Sequence, residues 1–426
     1  MGAAIEATGS PANSIGIVGG GQLAWMLAEA ARRRGIELHV QTPGTDDPAA
    51  AIASSVVSAD VRDVSGTRLL AERSSAISFA YEWLVLDGLS ALAGEGVHFV
   101  PSLEALRPLV CKRSQRELEQ RLNLPCPRWF PLDQLTPIPS TGSSAVPASS
   151  VPSTAASASR IPSLPEGFGY PLMAKAATGG YDGKGTAVLH TDADVQELLE
   201  RVDPSSWIVE EFVAFERELA LVAARDVSGE VVCLPLVQTH QHQQVCDWVL
   251  APVESNHALR QAARNIAASL LTSLNYVGVL SIEFFYGPKG LLINELAPRT
   301  HNSGHYSIEA CTLSQFDLQL LCVSAQLLRE PELQVPGALM VNLLGFDARS
   351  SSDPQADFAE QRQALSALPD AHLHWYGKTG PSLGRKLGHV TLLLREGDPQ
   401  RRRAEAMERL EQVRQIWPLP AEACNA

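Results

Sequence analysis

The sequence predicts an α/β protein of two or three domains that opens on a parallel sheet. Three observations predict it. The chain has 426 residues, against typical domains of ~100–200. From Ile15 to about residue 107, short apolar runs alternate with helical stretches. Beyond that, apolar strand-like runs return in pairs. In order, the first part reads "IGIVGG", "LAWMLAEAARRR", "GIELHV", "ASSVVSAD", "GTRLLAERS", "AISFAYEW" and "VHFV". Strands alternating with helices imply parallel pairing through right-handed crossovers. From Leu132 to Pro165 the chain is dominated by Ser, Pro, Ala and Thr and has almost no charge. Such a composition buries too little apolar surface to offset ordering entropy, so a mobile surface insertion is expected there. "YPLMAKAATGGYDGKGTAVL" and "SWIVEEFVAFERELALVAARD" follow as strand-rich stretches, then a helical run "HALRQAARNIAASLLTSLN". "VGVLSIEFFY" and "GLLINELA", joined by "GPKG", read as a hairpin because Gly and Pro stand at the turn positions. "ALMVNLLG", "AHLHWYGK" and "LGHVTLLL" then make a small strand-rich part closed by a final helix.

Bulk properties exclude several classes. A net charge of −13 opposes binding a nucleic-acid backbone, which needs clustered Lys and Arg. No apolar run approaches the ~20 residues of a membrane span. The stretch "MGAAIEATGSPANS" lacks the basic and apolar regions of a secretory signal, and Glu6 departs from the myristoylation pattern. The seven cysteines are scattered and form no C-x-x-C pair, so a reducing cytoplasm and no structural zinc are expected.

Gly19, Gly21 and Ala24 satisfy the pattern G-x-G-x-x-G/A of dinucleotide sites. That reading needs an acid about 20 residues on to hold the ribose. Gln41 and Thr42 follow the next strand instead, and Asp46 and Asp47 come later in a turn. A strand, a tight turn and a helix N-terminus remain, without the dinucleotide.

Four constellations carry chemistry. In the hairpin, Glu283 lies opposite Asn294 or Glu295, depending on the turn. Two carboxylates on one face repel unless a cation lies between them, and Mg²⁺ takes one or two carboxylates plus phosphate oxygens. The alternative puts one glutamate on the solvent face; Asn294 adds a further oxygen. "TGGYDGKG" brackets Tyr181, Asp182 and Lys184 with four glycines, which lets backbone amides close over phosphates. It is not a Walker A loop, and a plain glycine-rich hairpin is the alternative. Lys175 has the reach to meet a phosphate. In "IVEEFVAFERE", Glu210, Phe212 and Val213 offer edge groups for an adenine and Glu218 an acceptor for ribose, though the pattern is common in strands. Finally Arg299, His301, Asn302, Ser303 and His305 follow the hairpin directly; so many polar groups behind a buried strand read as a pocket.

These residues resemble the 5-(carboxyamino)imidazole ribonucleotide synthases of the ATP-grasp superfamily. The matching stretches are "GIVGGGQLAWML", "TGGYDGKG", "EEFVAFEREL", "NYVGVLSIEFF", "LLINELAPRTHNSGHYSIEACTLSQFDLQL" and "HWYGKTGPSLGRKLGHVTL". They span nearly the whole chain apart from the insertion. The resemblance implies a three-domain ATP-grasp fold: a Rossmann-like pre-ATP-grasp domain over 1–107, an ATP-grasp domain over 108–330 with the insertion at about 132–165, and a small β-rich C-terminal domain over 331–426. It implies that ATP, bicarbonate and 5-aminoimidazole ribonucleotide give ADP, phosphate and the N-carboxylated ribonucleotide, in a cytoplasmic homodimer that uses Mg²⁺ or Mn²⁺ and binds neither nucleic acid nor membrane.

By position, the resemblance makes Arg116, Lys175, Glu210, Phe212, Val213, Glu218, Asn294 and Glu295 ATP-binding. Glu283 and Glu295 would hold the metal, and Tyr181, Asp182, Lys184 and Arg299 would be catalytic. Gly21, Gln22, Leu23, Glu82, His301, Asn302, Ser303, Lys378, Arg385 and Lys386 would hold the ribonucleotide. The chain departs from the family at Arg116 (a lysine is expected), Ala80 (often an acid), Ala24 and Trp25 (commonly Gly-Arg) and Thr300 (a proline). His240 and His242 compete for the place of one family histidine. Another ATP-grasp ligase, such as the formate-dependent glycinamide ribonucleotide transformylase, a nicotinamide oxidoreductase and a noncatalytic nucleotide binder are the competing expectations.

Overall fold

The computed structural model describes residues 13–135, 164–180, 185–346, 358–378 and 383–420. The N-terminal runs form four parallel strands, β1 (Ser14–Val18), β2 (Glu37–Thr42), β3 (Ser55–Ser58) and β4 (Ala76–Phe79), in the order β3-β2-β1-β4. Every residue of β4 is buried, as expected for a parallel strand covered on both faces. Gly19 has a φ of +116°, and a Cβ on Gly20 would stand 2.4 Å from Thr42 Oγ1. These two glycines therefore serve the fold. Gly21, the N-cap of helix Gln22–Arg33, has nothing within 4 Å of where its Cβ would be.

A second sheet is antiparallel: β5 (Trp129–Pro131), β6 (Leu172–Ala176), β7 (Thr186–Leu189) and β8 (Trp207–Glu211), in the order β5-β8-β6-β7. The insertion expected from Leu132 starts later. Leu132–Leu135 is a 3₁₀ turn whose two leucines are buried against β5, β6 and β8, because apolar residues at i and i+3 share one face of such a turn. At the other end of the expected insertion, Leu164 packs against the same cluster; residues 136–163, between them, lie outside the described residues.

The third sheet holds β9 (Arg217–Arg225), β10 (Val231–Cys233), β11 (Val237–His242), β12 (Val245–Ala251), β13 (Gly278–Gly287), β14 (Gly290–Ala297), β15 (Gly337–Leu344), β16 (Ala371–Trp375) and β17 (Lys386–Leu394). They run β14-β13-β9-β11-β12-β15-β17-β16, with β10 on β9. Trp248 of β12 faces Val341 of β15, so one sheet passes continuously across position 331. Helix Gln315–Val323 locks this sheet to the first: Gln319 Nε2 donates to Ser78 Oγ at 2.8 Å, and Arg34 pairs with Asp317 at 2.7 Å. The clefts between the three sheets meet in one place.

Candidate active site

A cavity of about 1200 Å³ fills that junction. Its floor is the β13–β14 hairpin, which turns at Pro288 and Lys289 with Gly287 facing Gly290. The register places Glu283 opposite Glu295 and Phe284 opposite Ile293, so Asn294 is the extra residue of a bulge. A bulge re-aims side chains locally. Phe284 and Ile293 stay in the core while Glu283, Asn294 and Glu295 all line the cavity. The two carboxylates therefore share one face, and the solvent-facing alternative is excluded.

Electrostatics separate the pair. Burial, then Glu295 and Glu218, pushes the Glu283 carboxyl up to about 7. Burial acts the same way on Glu295, but Lys112, 2.7 Å from its Oε1, outweighs it and holds that carboxyl below the usual range. Their side chains are 25% and 42% exposed, onto the cavity they line. The Glu283, Glu295 and Asn294 oxygens form an all-oxygen donor set, which suits a hard divalent cation. Asn294 Oδ1 accepts from Lys175 Nζ at 3.0 Å.

Behind the floor lies a charge cluster. Lys175, on β6, sits 2.7 Å from Glu210 Oε2, and Arg116 Nε sits 2.7 Å from Glu210 Oε1. Arg116 also pairs with Glu119 and donates to the Asn294 carbonyl at 2.6 Å. Burial raises Glu119; against the same burial, Arg116 and Lys175 draw Glu210 down to about 2. Arg116, expected to touch ATP, is 3% exposed and does not line the cavity. Its planar fork bridges three acceptors inside the protein, a task that suits guanidinium better than ammonium. The cation that does reach the cavity from this helix, Lys112–Arg121, is Lys112. Lys112 is not among the residues expected to bind ATP; a spacing of four puts both cations on one helix face, and only depth distinguishes them.

The walls collect the other expected residues. Met173, Phe212, Val213, Phe215 and Phe285 make an apolar slot, with Phe215 and Phe285 stacked at 4.7 Å and Glu218 beside them. Burial raises the Glu218 carboxyl. His240 lines the cavity and stacks on Trp248 at 5.2 Å, whereas His242 reaches toward the Pro420 carbonyl at 3.4 Å. Gly21, Gln22 and Leu23 line the cavity too, as do Lys378, Arg385 and Lys386, and Lys378 Nζ donates to the Lys386 carbonyl at 2.8 Å. Glu82 and Arg299 form a two-pronged ion pair, Arg299 Nη2 lying 2.7 Å from Glu82 Oε1. It joins the end of the first sheet to the end of the hairpin.

His301 and Asn302 line the cavity; Ser303 does not. Ser303 is 1% exposed, bonded to His301 Nδ1 at 3.0 Å and near Ser281 Oγ at 3.3 Å, so it orients His301 rather than meeting a ligand. Burial, with Arg299 and Lys386 nearby, lowers His301 to about 4. Gln315 secures the same loop through the His301 carbonyl at 2.7 Å and His305 Nδ1 at 3.0 Å. Trp25, a departure from the family, packs edge-on to Tyr376 and His374, 6.2 and 6.4 Å away. Ala80 lines the cavity. Tyr181, Asp182 and Lys184 lie outside the described residues; Gly180 and Thr186, either side of them, line the cavity.

Two antiparallel sheets clasping a cavity with paired acids, a buried lysine and an apolar slot define an ATP-grasp enzyme. The family models agree: a ribonucleotide synthetase preATP-grasp domain matches residues 12–109, an ATP-grasp domain 145–316 and a phosphoribosylaminoimidazole carboxylase C-terminal domain 338–403. The N5-carboxyaminoimidazole ribonucleotide synthase of Synechococcus elongatus is 44% identical over 411 residues, 96% of this chain and 97% of that one. The chain belongs to the N5-carboxyaminoimidazole ribonucleotide synthase family. Among solved structures, the Staphylococcus aureus N5-carboxyaminoimidazole synthetase complexed with ADP is 27% identical with a TM-score of 0.77, covering 94% of this chain and 96% of that one. The Aspergillus clavatus synthase in complex with ADP and 5-aminoimidazole ribonucleotide is 25% identical, with a TM-score of 0.76 and coverage of 94% and 98%. This membership sets aside the nicotinamide and formate-ligase alternatives.

Proposed function

We infer that this chain carboxylates 5-aminoimidazole ribonucleotide with bicarbonate, consuming ATP and releasing ADP and phosphate, a step of purine biosynthesis. The observation that carries it is one cavity lined by two groups of cations, Lys112 and Lys175 beside the hairpin acids, and Lys378, Arg385 and Lys386 with Gln22. The first suits a nucleoside triphosphate and the second a ribonucleotide phosphate, aided by open space over Gly21 at a helix N-terminus. The apolar slot takes the adenine, the backbone at Phe212 and Val213, just past the end of β8, pairs with it while Glu210 holds Lys175 in place, and Glu218 accepts from its ribose.

Glu283, Glu295 and the Asn294 amide oxygen would hold Mg²⁺ or Mn²⁺. When bound, the ion neutralises charge on the phosphate oxygens. In the reaction, a bicarbonate oxygen bonds to the γ-phosphorus as the bond to ADP breaks. The exocyclic amine then bonds to the carboxyl carbon as the carbon–oxygen bond to phosphate breaks, and the amine proton leaves with the phosphate. Lys175 and Lys112 stabilise charge on the transferring phosphoryl group. Arg299, held by Glu82, orients the bicarbonate, and His301, neutral at pH 7, contacts the ribonucleotide. Tyr181, Asp182 and Lys184 are assigned to a cover that excludes water from the intermediate. The homodimer and cytoplasmic setting expected from the sequence go with this reading.

ADP release tests it, with bicarbonate and aminoimidazole ribonucleotide omitted in turn. Full turnover requires both; ADP formed equally well with formate and glycinamide ribonucleotide, or bound ATP without turnover, overturns it. Arg299→Lys keeps the charge and loses the fork on Glu82, and we expect kcat/KM to fall about 10–100-fold, read from steady-state rates with bicarbonate varied. Unaltered kinetics would remove Arg299 from the reacting end.

A further inference from the structure

A second cavity, of about 230 Å³, lies between β9, β11 and the start of helix Pro399–Ile416. Arg217, Arg402 and Arg403 line it, against a single exposed carboxylate, Glu254. That is an unusual concentration of positive charge in a chain of net charge −13. Among the described residues, none of the three guanidiniums has a carboxylate partner. Their contacts are neutral: Arg217 Nη1 donates to the Glu254 carbonyl at 3.1 Å, Arg402 Nη1 to the Gly397 carbonyl at 3.1 Å and Arg403 Nη1 to Gln238 Oε1 at 2.9 Å. Arg402 is only 7% exposed. Its stem crosses Gly337, where a Cβ would stand 2.4 Å from Arg402 Cδ, so the backbone is shaped to admit this side chain.

A buried guanidinium with no counter-charge is costly, and most surface arginines avoid the situation by facing bulk water. Here Arg402 is buried, Arg217 is half-buried with its guanidinium over the Tyr286 ring and Arg403 is exposed, and all three line one hollow. The volume falls below the ~300–1,000 Å³ of pockets for drug-sized ligands, which limits the occupant to a small molecule. The helix end adds little, because Asp398 already accepts from the Gln400 and Arg401 amides at 3.1 and 3.0 Å. Guanidinium forks match phosphate oxygens in pairs. We propose that this hollow is a second anion site, separate from the active cavity, for a small multiply charged phosphate-class anion. Its position gives it a route to the active cavity: Arg217 lines the second hollow and its neighbour Glu218 the first, on opposite faces of one strand.

Titration calorimetry with sodium pyrophosphate, without metal, tests it on the unaltered full-length chain and three variants of it. Lys378→Ala/Arg385→Ala removes two of the cations of the active cavity, leaving its Lys112 and Lys175 part and the second hollow, and the hollow binds pyrophosphate with the affinity it has in the unaltered chain. Adding Arg403→Gln to that chain weakens the hollow's site at least about tenfold and leaves binding at Lys112 and Lys175 unchanged. Gln238→Glu, which puts a carboxylate beside Arg403, does the same without removing any arginine, and circular dichroism confirms folding of each. No binding to the Lys378→Ala/Arg385→Ala chain, or binding indifferent to both Arg403→Gln and Gln238→Glu, overturns the proposal.

Discussion

Glu295→Gln is expected to lower kcat by at least about 10²–10³-fold, the range seen when one preorganised electrostatic contact is lost, and to raise the magnesium concentration needed for half-maximal rate. The substitution keeps the shape of the side chain and removes one of two carboxylates on the hairpin face. Glutamine offers a weaker oxygen to a hard cation. It also strands Lys112, whose ammonium lies 2.7 Å from Glu295 Oε1 and would then repel a divalent ion. Folding should be nearly unaffected. The Glu295 side chain is 42% open to the cavity, and its loss relieves repulsion on Glu283. A thermal midpoint within a few degrees of the unaltered chain, with activity nearly gone, is the expected pair of results. Normal activity and unaltered metal dependence would place the metal elsewhere.

Glu210→Gln should do the reverse and damage the fold first. Glu210 is 2% exposed and carries the counter-charge for both Lys175 and Arg116. Removing one partner from such a cluster costs about 3–5 kcal/mol, a thermal midpoint lower by on the order of 5–15 °C. The pH dependence has a definite sign. The folded-state carboxyl is held at about 2, below its unfolded value of ~4.3, so its stabilisation is complete above about pH 5 and is lost as pH falls toward 2. The gap in thermal midpoint between the unaltered chain and Glu210→Gln should be constant from pH 7 to 5 and narrow below pH 4. A gap independent of pH, or no gap, would mean that Glu210 is not the charged member of the cluster.

What was legible in the sequence follows from locality. The parallel sheet and the hairpin announce themselves through runs of a few residues, and the turn at Pro288 and Lys289 is local chemistry. The hairpin's register was ambiguous because a bulge adds one residue without changing the apolar pattern, and Asn294 is that residue. Arg116 and Lys112 share a helix face, so sequence gave no means of knowing that one is buried beneath the cavity floor and the other stands at it. Ser303 and Gln315 work through His301, and positioning roles leave no signature in spacing. The continuity of the large sheet from β12 to β15 joins residues about ninety positions apart, which composition cannot reveal. His240 and His242 were separated by a break in register after His240, again a three-dimensional fact.

On this reading, ATP and bicarbonate react over the hairpin acids, and the activated carboxyl group passes to the ribonucleotide within the same cavity. Turnover with ¹⁸O-labelled bicarbonate tests it most directly, by mass spectrometry of the phosphate released. If a bicarbonate oxygen attacks the γ-phosphorus, one labelled oxygen appears in each phosphate formed with the carboxylated product. Phosphate released without label, while the ribonucleotide is carboxylated, would contradict it.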